Sequence, residues 1–153
     1  MTDLEKIKSW LATFPDFDIL SCFRVDFTDQ IPANGGIFPA GLQEIRRREF
    51  ITGDMEVTNQ MNFGIYYIFE KSPGDEPGAL NNADWLMQFQ KWVQEQSILG
   101  QAPTFGNTDL RNEQIKAENG MLYSADREGL ATYMVQLSIQ YKIFYEVKDQ
   151  WLT

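Results

Sequence analysis

The sequence predicts an α+β domain: a mainly antiparallel β-sheet with two helices packed on one face. Three observations lead there. Apolar residues alternate through residues 131–147 and through most of 55–70, the period of a strand with one buried face. Two other stretches, 2–13 and 82–97, carry apolar residues three and four apart, the period of an amphipathic helix. The element order is helix, strand, long hairpin, helix, short hairpin, long strand. Antiparallel strands can leave one sheet face wet while the helices cover the other. A chain of 153 residues fits one domain, spanning 1–153, with one sizeable core.

The first helix is expected over 2–13. Thr2 followed by Glu5 is a capping box, Leu4, Ile7, Leu11 and Phe14 form one stripe, and Pro15 ends it. Residues 18–28 read as extended, with Phe23, Val25 and Phe27 on one face. Residues 29–41 hold two prolines and three glycines, which marks a loop. Residues 42–51 read as a strand of impure alternation around Arg46, Arg47 and Arg48, returned by Thr52-Gly53-Asp54. Met55, Val57, Met61, Phe63, Ile65, Tyr67 and Phe69 then occupy alternate positions. A strand this long bends or bulges, and Gly64 is the expected point. The long hairpin therefore covers about 42–70.

Residues 72–80 read as a loop, with Asn81 or Asn82 capping the second helix. Trp85, Leu86, Phe89, Trp92 and Val93 are its stripe, and Gly100 is its stop signal. A short strand is expected over 110–118, then a hairpin at Asn119-Gly120. The last strand runs over 131–147, followed by a flexible tail over about 148–153.

Composition narrows the function classes. The chain has no histidine, which removes the commonest near-neutral proton shuttle and metal ligand. A Ser-His-Asp or Cys-His arrangement is thereby impossible. Cys22 stands alone, so the fold rests on its core or on partners and not on an intrachain disulfide. No phosphate loop or dinucleotide fingerprint occurs. Asp26, Asp29, Glu44, Glu49 and Glu56 could furnish a carboxylate pair, but their spacing is not distinctive. The expectation is no catalytic residue, no metal and no cofactor. No apolar run approaches the roughly 20 residues that cross a bilayer, and the first residues lack the pattern of a secretory signal. The chain is expected to be made and used inside the cell. The formal charge of -9 opposes non-specific adhesion to nucleic acid or anionic membrane.

Several segments together resemble a known family. They are Phe38-Pro39-Ala40-Gly41-Leu42, the basic run to Glu49, Gly53 with the strand after it, NADWLMQFQKWVQEQSILGQAPTFG over 82–106, residues 112–117, and ATYMVQLSIQYKIFYEV over 131–147. Over residues 2–147 the chain resembles the minor capsid or minor tail proteins of Gram-positive siphophages and prophages. In element order it is similar to their tail terminators, also called head–tail joining proteins. The resemblance implies a ring, typically a hexamer, that caps the tail tube and joins it to the filled head. It implies the tail tube protein and a head-completion protein as partners, and DNA passing through without specific binding. The localisation implied is the virion, assembled in the host cytoplasm. Two alternatives stand beside it: a head-completion or tail-tube-like protein, and an acidic intracellular binding module that mimics DNA.

The expected interface residues follow from the elements. Ile37 and Phe38 are candidate exposed apolar residues of the 29–41 loop. Arg46, Arg47 and Arg48 cannot form one flat patch, because neighbours in a strand face opposite ways. They offer a contact to an acidic surface or salt bridges to Glu44 and Glu49. Glu56, Thr58, Gln60 and Asn62 form the polar row of the hairpin, facing a partner or water. Trp151, in the C-terminal tail, is a candidate assembly anchor. Trp85 and Trp92, two helical turns apart, are expected in the core.

Overall fold

The computed structural model describes residues 2–15, 22–25, 34–70, 76–125 and 130–147. Helix α1 (Asp3–Leu11) starts at the predicted capping box. The Glu5 amide donates to Thr2 Oγ1 at 3.2 Å, and the Thr2 amide donates to Glu5 Oε2 at 3.0 Å. Two of the helix's first N–H groups are thereby satisfied.

Among the described residues the sheet has five strands: β1 (Cys22–Val25), β2 (Asn34–Glu49), β3 (Met55–Glu70), β4 (Gln114–Ala125) and β5 (Leu130–Tyr145). Their spatial order is β1-β2-β3-β5-β4. All neighbours are antiparallel except β1 and β2, which run parallel. The fold class is as expected: α+β, with a mainly antiparallel sheet and two helices.

Both helices pack on the face made by the odd-numbered residues of β3 and β5. Ile7, Trp10, Leu11 and Phe14 join Trp85, Leu86, Phe89 and Val93 in one core with Phe63, Ile65, Tyr67, Val135, Leu137 and Ile139. Aromatic rings knit the helices together. Trp10 stacks on Trp92 at 5.0 Å, Phe14 meets Phe89 edge-on at 5.4 Å, and Tyr67 meets Trp85 edge-on at 4.3 Å. Such pairs add to the stabilisation from burial alone. Trp85 is buried and Trp92 packs against the core, as expected.

Several boundaries differ from the sequence expectation. Strand β2 begins at Asn34, inside the stretch read as a loop, so the hairpin covers 34–70. Gly35 and Gly36 are buried between β1 and β3; here the glycines serve strand packing and not a turn. The expected bulge at Gly64 is absent from β3, whose register with β5 is unbroken. The irregularity sits on the opposite strand, between Pro39 and Leu42, with Gly41 at φ 93. A second register shift falls between Glu44 and Arg46, which accounts for the impure alternation there.

Helix α2 (Glu76–Ile98) begins well before Asn81. Pro77 lies in its first turn, where a missing N–H costs nothing. The helix stops as expected at Gly100, φ 70. The Gly100 amide reaches Ser97 O and the Gln101 amide reaches Gln96 O, the bonding of a Schellman motif. Residues Leu110–Asn112 form a 3-10 turn and not a strand.

Asn119-Gly120 makes no hairpin turn. Strand β4 runs through it, and the register with β5 shifts between Glu118 and Met121. Asn119 adopts φ 57, the left-handed conformation that this residue type tolerates. A Cβ on Gly120 would strike the side chains of Gln90 and Leu86. The dipeptide is therefore a bulge that lets α2 lie close over the strand.

Candidate interaction surface

The period of two places the polar row of β3 on the sheet face away from both helices. Glu56, Thr58, Gln60 and Asn62 alternate with Val57, Phe63 and Ile65, which are buried on the helix side. Residues directly opposite across a ladder share a face. By register, Arg48 stands opposite Glu56, Arg46 opposite Thr58 and Gln43 opposite Gln60. On the other flank Phe144, Lys142, Gln140 and Ser138 stand opposite Glu56, Thr58, Gln60 and Asn62. The result is a three-strand polar surface on β2, β3 and β5. Its members bond to one another: Gln60 Nε2 donates to Asn62 Oδ1 at 2.7 Å, and Lys142 Nζ lies 3.9 Å from Glu56 Oε1. Phe38 borders the same surface, its ring edge-on to Tyr66 at 5.1 Å.

Seven expected interface residues thus share one face: Phe38, Arg46, Arg48, Glu56, Thr58, Gln60 and Asn62. Two stand elsewhere, and one lies outside the described residues. Ile37 is fully buried and is no surface anchor, because β2 has already begun and its register with Ile65 points it into the core. Arg47 stands opposite Val57, on the helix side, but is exposed, with no helix among the described residues covering it. Its guanidinium donates two bonds to the Glu44 carboxylate, at 2.6 and 3.1 Å. These bonds hold Glu44 below the usual carboxylate range and raise Arg47. Trp151 lies outside the described residues.

The arginine run therefore splits as alternation requires, but the bulge decides which member goes where. Arg47 is paired with Glu44. Arg48 lies over the Phe50 ring at 5.0 Å. Arg46 has no ion pair among the described residues. Among these charges the far half of the hairpin also exposes apolar side chains: Leu42 is 61% exposed, Ile45 43% and Ile51 fully exposed. The turn beyond is firm. Gly53, φ 89, donates to Phe50 O, and the Phe50 amide donates to Asp54 O.

The opposite side of the sheet is closed by devices that the sequence reading missed. Ser97 Oγ accepts from the Ile115 amide at 3.0 Å, and Gln90 Nε2 donates to Ala117 O at 3.1 Å. Both α2 side chains thus satisfy the outer edge of β4. Past the start of β4, Asn107 takes over the edge of β5. Its side chain accepts from the Phe144 amide at 2.6 Å and donates to Phe144 O at 2.9 Å. The loop holding Asn107 is itself tied down. Glu113 Oε1 accepts from the amides of Phe105 and Gly106, both at 2.7 Å.

A shallow groove of about 440 Å³ runs between α2 and β4, lined by Gln90, Gln94, Ser97, Lys116 and Glu118. Among the described residues no cluster of His, Cys, Asp and Glu is arranged to hold a metal ion. No helix among them is long and apolar enough to cross a membrane. The sequence matches no protein-family model and no curated protein.

Proposed function

We propose that this chain is a virion-assembly protein of the siphophage tail terminator type. In this reading it is one subunit of a ring, a hexamer, that caps the tail tube and joins it to the head. It acts through its surfaces and not as an enzyme, and needs no cofactor. Cyclic symmetry ends assembly instead of propagating it. Its partners are further copies of itself, the tail tube protein on one side and a head-completion protein on the other. It is assembled in the bacterial cytoplasm and carried in the virion. The net charge of -9 suits a conduit through which DNA passes without sticking.

The observation that supports the reading best is the helix-free face. A polar surface on three strands runs into a hairpin whose far half exposes Leu42, Ile45 and Ile51. Exposed apolar residues bordered by a polar surface are the anatomy of a protein-interaction site. The resemblance of residues 2–147 to tail terminators supplies the ring. Solution mass by light scattering tests it, at several concentrations. A stable six-subunit species is expected, and arginine at both Thr58 and Gln60 should dissociate it. A monomer at every concentration would reject a self-closing ring and favour an acidic binding module.

A further inference from the structure

Strand β2 has a long outer edge, and β1 pairs only with its first part. The β1 register covers Asn34 to Ile37. From Leu42 to Glu49 the strand lies against β3 on its inner side, and no described residue pairs with the outer side. That stretch is roughly 25 Å of edge at the usual rise per residue. The register shift between Glu44 and Arg46 divides it, and the regular segment from Arg46 to Glu49 carries both arginines without a carboxylate partner among the described residues. Such an edge presents a row of N–H and C=O groups ready for another strand. The far edge of the sheet is different, being satisfied by Ser97, Gln90 and Asn107. Side chains cap part of one edge, and no described residue covers the Leu42–Glu49 stretch of the other.

Charge decides what can use the Leu42–Glu49 edge. Arg46 and Arg48 stand two residues apart on one face, roughly 7 Å from each other along the strand. Neither has a carboxylate partner among the described residues; Glu44 is committed to Arg47. Pairing this edge with the same edge of a second copy sets arginines close to arginines, and like charges facing each other across a ladder are destabilising. A strand with carboxylates at alternate positions has the matching spacing and the opposite sign. Leu42 and Ile45, exposed beside the arginines, give such a strand apolar contact.

We propose that the Leu42–Glu49 edge of β2 is a strand-addition site for an extended acidic segment of a partner protein. The segment would carry Asp or Glu at alternate positions, its carboxylates on Arg46 and Arg48 and its backbone on the β2 edge. Main-chain bonds supply affinity in such additions, and alternate side chains supply specificity. The site does not depend on ring formation, which solution mass tests separately.

The probe is a labelled ten-residue peptide alternating glutamate and valine, followed by fluorescence anisotropy and by amide hydrogen exchange of the full chain. Binding is expected, with slowed exchange confined to 42–49. A peptide with lysine in place of glutamate, and one with alternate backbone nitrogens methylated, should not bind. The double variant Arg46→Glu, Arg48→Glu should weaken binding at least about tenfold, while Arg47→Gln should leave it unchanged. Both arginines of the double variant are exposed, so folding should survive, and circular dichroism checks it. Equal binding of the lysine or methylated peptide would overturn the proposal, as would no binding or protection elsewhere. Slow exchange at 42–49 without peptide, unaltered in the double variant, would also overturn it, by assigning the edge to a second copy.

Discussion

The two edges of this sheet solve one problem in opposite ways. On the β4 side, main-chain groups at Ile115, Ala117 and Phe144 meet side chains from outside the sheet. Ser97 and Gln90 reach down from α2, and Asn107 reaches across from the loop before β4. On the β2 side the far half of the strand carries charge and two register shifts, and no described element covers it. Covering an edge removes its capacity to pair; charging it keeps the capacity and restricts the partner. The difference separates an edge with main-chain groups bonded to side chains of α2 and the preceding loop from an edge that, among the described residues, carries charge instead.

The comparison breaks most sharply if the helix that guards β4 is loosened. Phe89 is fully buried between Phe14, Trp85 and Tyr67. Phe89→Ala should cost roughly 3–5 kcal/mol, measured by denaturant unfolding, and should speed exchange of the Ile115 amide. A loss under about 1 kcal/mol would mean that the ring is not integral to the core. Next in size is Gly106→Ala. A Cβ there would run into the Lys142 carbonyl, so backbone must move from backbone. About 1–3 kcal/mol is expected, with the Asn107 bonds to Phe144 loosened. Asn107→Ala tests that cap alone. Its bonds are exposed to water, which can replace them, so about 1 kcal/mol or less is expected. The Phe144 amide should nevertheless exchange faster while amides of β2 stay as they were.

The smallest effect concerns the turn before β4. Arg111, through its side chain and its backbone amide, holds Asp109 down to about 2. A carboxylate depressed in the folded state adds stability above its unfolded value, 3.8. That contribution fades as pH falls through about 2. Protection of the Arg111 amide, relative to its intrinsic exchange rate, should therefore fall between about pH 4 and pH 2, and Asp109→Ala should remove the transition. The pair lies at the surface, so global stability should scarcely register it.

Much of this was legible in the order of residues. The rows of β3 and β5 follow a period of two for most of their length, so their faces could be assigned directly. The capping box at Thr2 and the stop at Gly100 are local chemistry and sit where expected. Misreadings fell where a local rule has two outcomes. Pro77 reads as a breaker unless it falls in a first turn, and only the packing of α2 decides that. Asn119-Gly120 fits a turn or a bulge, and the choice is made by β5, which holds the strand straight on both sides of the dipeptide. Gly35 and Gly36 look like loop until β1 and β3 close on them. The candidate surface shows the same division. Glu56 to Asn62 could be assigned to one face from alternation alone. Arg46 and Arg48 join that face only after the shift at Ile45 is counted, and the caps at Ser97, Gln90 and Asn107 depend on contacts between distant segments.

The strand order carries a consequence for how the molecule is made. Strand β5 lies between β3 and β4, yet it follows all the other strands in the chain. Its pairing with β3 joins Met55 to Tyr145 and Glu70 to Leu130, closures that cost more chain entropy than the local hairpin. The β2–β3 hairpin can form while the ribosome is still adding residues, but the second side of β3 must wait for β5. Until then Phe63, Ile65 and Tyr67 have no sheet neighbour on that side, and this interval is when the nascent chain is most exposed to wrong pairing.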